Sequence, residues 1–213
     1  KDAETRDIFV ALDLPRLTAA LAADDPACES CLDFIRTELN PQALRPSIET
    51  SVHGLMPQAA VVHVHCVSTI AHAIRSDARE ILEPKLAGFN WSFIPYARPG
   101  LELARAIRTH MKPGSDVLVL GNHGLAVAAA TVAEAEALLA NVTAALAIEP
   151  RATPVPDLSA LEKLAAGSLY RLPQDPACHA AALDPIALGH GTQHVYYPDH
   201  AVFLGTQIPQ DLT

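Results

Sequence analysis

The chain has 213 residues, half of them hydrophobic and 18% charged, with a formal net charge of −9 when its ten histidines are counted neutral. That length supports one domain with a substantial core, or a domain plus an appendage, and the composition is that of a folded globular protein rather than a disordered one. The acidic balance argues against nucleic acid or an anionic membrane as principal partner, and no stretch approaches the ~20 apolar residues of a membrane span.

The chain opens at Lys1 rather than Met and shows no secretory leader, so the expectation is that an N-terminal part precedes it. Residues 7–14 (DIFVALDL) read as a short strand and a turn, and 15–39 as one or two helices ending before Asn40-Pro41. Cys28 and Cys31 form a C-x-x-C without a second ligand pair or a preceding thioredoxin-like strand. With Cys66 and Cys178 they read as reduced, partly buried thiols, which suits a reducing cytoplasm. Ser47 is a candidate N-cap for a helix carrying Ile48, Glu49, Val52 and His53, in which Glu49 and His53 share a face.

Residues 59–66 (AAVVHVHC) read as a strand, because Val61, Val62 and Val64 are β-branched, and 67–75 as a helix. Residues 91–96 (WSFIPY) are a second candidate strand, and Pro99-Gly100 opens an amphipathic helix to about Met111. Residues 116–121 (DVLVLG) and 125–130 (LAVAAA) are two further strands, separated by Asn122-His123-Gly124, where Gly124 is expected to supply an unusual backbone shape. Thr131 and Glu134 form a capping box that starts a long Ala/Leu helix to about Ile148. Strands and helices thus alternate over 47–148, which predicts an α/β layered domain. A Pro-rich link follows at 150–156, then a helix from a second capping box, Ser159 and Glu162, stopping at Gly167. The remainder, to 213, reads as irregular. The expected organisation is a domain over 1–150 and an extension over 151–213 that packs on it.

Three histidines carry the chemistry. His63 and His65 are two apart on a strand, so both side chains point to one face and can bind one cation together. His123, on a tight turn at the end of an apolar strand, can lie over a neighbouring strand. Three neutral imidazoles with open positions are a common form of catalytic zinc site. Glu49 supplies a carboxylate able to take and return a proton beside a cation. Each has a plainer alternative taken singly: an exposed His with its own hydrogen-bond partner, a loop His, a solvated helix Glu.

RPSIET at 45–50, His53, VVHVHC at 61–66, PYARPG at 95–100 and GNHGLAVAAATVAEA at 121–135 resemble, in order and spacing, the class II aldolase/adducin family. The likeness is greatest to the aldolase part of rhamnulose-1-phosphate aldolase/dehydrogenase-like proteins, and it continues weakly to YYPDHAVFLG at 196–205. The resemblance implies an α/β/α layered fold with a mostly antiparallel central sheet, in a homotetramer with active sites at subunit borders. It implies zinc, or another divalent ion such as Mn, Co or Fe, on His63, His65 and His123, with Glu49 as acid/base and Ser47 near a substrate phosphate. The implied reaction is aldol cleavage of a small sugar phosphate or related hydroxy-carbonyl compound through a metal-stabilised enediolate. Other chemistry on the same scaffold (epimerase, dehydratase, decarboxylase) and a non-catalytic adducin-like interaction domain are the alternatives; a metal-dependent hydrolase has no supporting motif. The Gly-rich phosphate loops of the family are not found in this chain. Tyr196, Tyr197 and His200 are candidates to close over the pocket, the tyrosines as substrate-binding groups.

Overall fold

The computed structural model of the protein describes residues 8–205. The chain divides into two compact units, 1–147 and 148–213. Among the described residues of the first, one sheet holds β1 (Ala60–Val64), β2 (Trp91–Ile94), β3 (Val117–Leu120) and β4 (Gly124–Ala129), in the spatial order β1-β4-β3-β2. β4 runs antiparallel to both neighbours, with His63 opposite Ala126 and Leu120 opposite Gly124. β2 joins β3 in parallel, Ile94 opposite Leu120. The sheet is therefore mixed, which corrects the mostly antiparallel sheet expected. The connections explain it. A tight turn joins β3 to β4 and makes them antiparallel, whereas α5 (Leu101–His110) carries the chain back between β2 and β3, as parallel neighbours require.

Alternation along the strands decides what each face meets. Val117, Val119, Leu125 and Val127 pack with Ala73 of α3 (Val67–Ala73), Leu82 of α4 (Ala78–Lys85) and Val142 of α6 (Val132–Ala145). Leu118, Leu120, Ala126 and Ala128 pack with Val52 of α2 (Thr50–Leu55) and with Leu103 and Ile107 of α5. All four residues of β3 are buried, which is why VLVL shows no polar alternation. Helices on both faces of one sheet give the α/β/α layering. A third cluster joins Leu17 and Leu21 of α1 (Leu14–Ala22) to Cys28, Cys31 and Phe34, and packs on Leu101 and Ala104 of α5.

The strand expected over 7–14 reduces to one bridge between Leu12 and Ile35, with Asp7 outside the described residues. Region 15–39 holds α1 and three short 3-10 turns. Its aspartates favour short elements: Asp13 accepts from the Arg16 N–H to cap α1, and Asp25 accepts from the Ala27 N–H two residues on. Cys28 and Cys31 are free thiols fully inside this cluster, and burial pushes the Cys31 thiol up to about 11. The capping box forms as expected: the Glu134 N–H donates to Thr131 Oγ1 at 3.2 Å, and the Thr131 N–H to Glu134 Oε2 at 3.0 Å.

The second unit is more helical than its composition indicates, with α7 (Leu158–Ala165), α8 (Ala180–Leu183), α9 (Pro185–Gln193) and a π-helical turn at His200–Leu204. Asp157, not Ser159, caps α7 by accepting from the Ala160 N–H. Asp184 caps α9 and also pairs with Arg151. No helix among the described residues is long and apolar enough to cross a membrane.

Candidate metal centre

His63 lies one residue before the end of β1 and His65 one residue beyond it, so both rings project from the same side. β4, hydrogen-bonded beside β1, begins at Gly124, and the preceding residue is His123. Adjacent strands thus deliver three rings from distant parts of the chain to one place. Ring centroids lie 5.2 Å apart for His63–His65, 5.0 Å for His63–His123 and 5.2 Å for His65–His123. One nitrogen from each ring lies within 4.8 Å of those of the other two. Tetrahedral zinc with bonds of roughly 2.1 Å spaces its ligands about 3.4 Å apart, so modest ring tilts suffice to close on an ion.

The turn places His123. Its N–H donates to the Leu120 carbonyl at 3.2 Å, and Asn122 takes the left-handed conformation with φ 53°. The unusual backbone shape expected at Gly124 is therefore at Asn122, which tolerates a positive φ through its short polar side chain. His123 is 1% exposed.

The hydrogen bonds left unmade point the same way. His63 Nδ1 lies 3.1 Å from the Leu125 carbonyl oxygen, which can only accept, so this nitrogen carries the proton and Nε2 is left as a bare lone pair. That Nε2 is buried without a hydrogen-bond partner among the described residues, as are both ring nitrogens of His123. Buried polar atoms are ordinarily satisfied. A ring held by one nitrogen on a backbone carbonyl, with the other left open and buried in a cluster of two more imidazoles, is the arrangement of a metal-ligating histidine. Burial, reinforced by the neighbouring imidazoles and only partly opposed by Glu49, pushes the His63 pKa down to about 4 and keeps its ring neutral. The donor set fits a divalent ion.

Glu49 is the N-cap residue of α2, yet its side chain does not cap the helix. It reaches towards the imidazoles instead, with Oε1 3.3 Å from His123 Nε2. Burial alone raises this carboxyl, but its contact with His123, together with the neighbouring imidazoles of His63 and His65, outweighs burial and holds it below its ordinary range. Ser47 Oγ accepts from the Glu49 N–H at 3.2 Å, so Ser47 shapes the turn before α2 rather than capping the helix itself. His53, one turn further along α2, faces a separate groove of about 810 Å³ between α1, α2 and the start of β1, which includes none of the three imidazoles. Tyr196 and Tyr197 belong to the second unit, where the Tyr196 hydroxyl lies 2.8 Å from His190 Nδ1 and the Tyr197 ring packs 5.9 Å from that of His200. The carbonyl of Leu125 is a site group that sequence reading missed. The only available signal was its position beside His63 across the β1–β4 pair.

The fold and this cluster define a three-layer α/β domain with a three-histidine, one-carboxylate centre. Residues 26–149 match the Class II Aldolase and Adducin N-terminal domain, and the chain belongs to that family. It is 27% identical over 120 residues to the protein called Uncharacterized oxidoreductase YuxG of Bacillus subtilis (strain 168), covering 55% of this chain and 17% of that protein. Among solved structures it is similar to the N-terminal class II aldolase domain of a conserved protein from Thermoplasma acidophilum. The TM-score is 0.55 at 24% identity, over 65% of this chain and 64% of that one. A likeness to an aldolase II superfamily protein from Pseudomonas syringae has a TM-score of 0.41 at 17% identity, over 70% of this chain and 62% of that one. The chain thus spans a small part of the Bacillus protein's length and just under two thirds of the Thermoplasma chain.

Proposed function

We propose that the protein is a divalent-metal-dependent carbon–carbon lyase acting on a small hydroxy-carbonyl compound, a sugar phosphate being the first candidate. The observation that carries the proposal is the convergence of His63, His65 and His123 within 4.8 Å, with Glu49 Oε1 3.3 Å from one of them. A divalent ion held by the three imidazoles supplies Lewis-acid stabilisation of the negative charge that grows on a substrate oxygen as the bond breaks. Glu49, kept ionised, accepts a proton from the carbon next to the carbonyl in the bond-forming direction and returns it in cleavage. The Leu125 carbonyl holds His63 in one tautomer, so that Nε2 is the nitrogen left open. The near-complete burial of His123 excludes water from one side of the centre.

The finer parts of this reading are zinc as the ion, Ser47 beside a substrate phosphate, Tyr196 or Tyr197 at the aldehyde oxygen, a tetramer, and a cytoplasmic place in carbohydrate metabolism. Residues 151–213 are read as an extension of the domain. The test is cleavage of ketose 1-phosphates with added zinc, wild type against Glu49→Gln. Loss of about 100-fold or more in kcat with zinc still bound is expected, in line with general acid–base catalysis. Equal rates in the two proteins remove Glu49 from the reaction.

A further inference from the structure

The turn bearing His123 is flanked by two glycines, and neither is there for a positive φ. Gly121 sits where the chain comes closest to the end of β2: its N–H donates to the Ile94 carbonyl at 2.8 Å, and a Cβ there would lie 3.0 Å from the Tyr96 nitrogen. Gly124 sits where it comes closest to β1. A Cβ at Gly124 would lie 2.5 Å from the Val64 carbonyl oxygen, 3.2 Å from His63 Cε1 and 3.2 Å from His65 Cδ2. Flexible side chains can yield to a new methyl group, but the Val64 carbonyl is strand backbone lying between the two histidines.

Relief at Gly124 thus requires the end of β1 to move. Bringing the 2.5 Å approach out to the 3.0–3.4 Å of the tightest real contacts opens the strands by 0.5–0.9 Å. The displaced segment carries His63 and His65, and it moves away from His123. The three nitrogens, now within 4.8 Å, must close rather than open to hold an ion.

We propose that Gly124 is a positioning residue for the metal: the space at its α-carbon is what lets the two imidazoles of β1 close on His123. This rests on the metal-centre reading above and adds a determinant that is not itself a ligand. A side chain at Gly124 loosens metal binding while leaving all three ligands in place.

The experiment compares wild type, Gly124→Ala and Val127→Ala. Val127 is a buried β4 residue on the opposite sheet face, in the cluster with Val142, so its truncation lowers stability without touching the rings. Zinc affinity is read by competition with a chromophoric chelator, and site geometry by the visible absorption of the cobalt(II) form. In Gly124→Ala, zinc affinity is expected to fall roughly 10- to 100-fold, the usual range for supporting groups around a metal, with a changed cobalt spectrum. Val127→Ala is expected to match wild type in both. If Gly124→Ala is poorly folded, the same readings are taken in trimethylamine N-oxide, which strengthens the folded state. Wild-type affinity in Gly124→Ala, or an equal loss in Val127→Ala, overturns the proposal. So does a Gly124→Ala protein that stays unfolded in the osmolyte, which makes the glycine a requirement of folding alone. A wild type that takes up no zinc fails the metal reading itself, a result distinct from these.

Discussion

Lowering the pH on chelator-treated protein probes the buried imidazole at the heart of the site. The His63 pKa is pushed from 6.5 down to about 4, chiefly by burial. A group whose pKa is depressed on folding resists the proton that the unfolded chain accepts, so stability is lost as pH falls below the unfolded value. Between about pH 8 and about pH 5 the unfolded imidazole becomes almost fully charged while the folded one stays mostly neutral, and the linkage integral gives a loss of roughly 2 kcal/mol. For a chain of this size that corresponds to a fall in melting temperature of about 4–8 °C. Glu49 does not offset this in the same window: its pKa is lowered from 4.5, so its stabilising charge is lost only at more acid pH. His72, buried beside the Leu146 carbonyl and also depressed by burial, contributes in the same direction. The diagnostic quantity is therefore the difference between wild type and His63→Gln in urea unfolding across the range. The variant should lose about 2 kcal/mol less than wild type on acidification. Parallel pH profiles for the two proteins would refute the reasoning.

Two further outcomes follow from local structure. Thr131→Ala removes half of the capping box at the start of α6 and should cost about 1 kcal/mol in denaturant unfolding, with no change in zinc uptake. Cys178 is exposed whereas Cys28 and Cys31 are buried with raised thiol pKa values, so an alkylating reagent should label Cys178 in the native protein and reach the C-x-x-C pair only on unfolding, as peptide mass mapping will show.

The parts of the fold legible in the sequence are those fixed by short-range rules. The β-branched run before His63, the apolar VLVL and the Thr131–Glu134 box each specify an element through neighbours a few residues away, and β1, β3 and the start of α6 lie where expected. Features set by tertiary context were harder to read. The parallel β2–β3 pair depends on the return path through α5, which no local pattern encodes. α4 has no clear local signature because Pro84 interrupts its pattern, and packing of Leu82 and Leu86 in the core goes with the helix seen there. Asp157 outcompetes Ser159 as a cap by sitting immediately before the first helical residue.

The site divides in the same way. His63 and His65 share a face by the period of two alone, and the turn brings His123 to them because β4 is β1's direct neighbour. Gly124 stands out in the sequence as a glycine, but the unusual backbone shape expected of it lies elsewhere in the turn. The unusual φ belongs to Asn122, and Gly124 is needed for its lack of volume beside Val64, His63 and His65. Such a contact joins residues about 60 apart in the chain and becomes visible only with coordinates.

Metal content tests the centre most directly. Protein purified without chelator should carry one divalent ion per chain. The stripped protein should gain melting temperature with zinc, about 2.7 kcal/mol of stabilisation at a hundredfold excess over Kd. Replacing His63, His65 and His123 together by Ala should abolish both. A wild type with no bound metal and no thermal response to zinc, or a triple variant that keeps the ion, would contradict a shared site on these three residues.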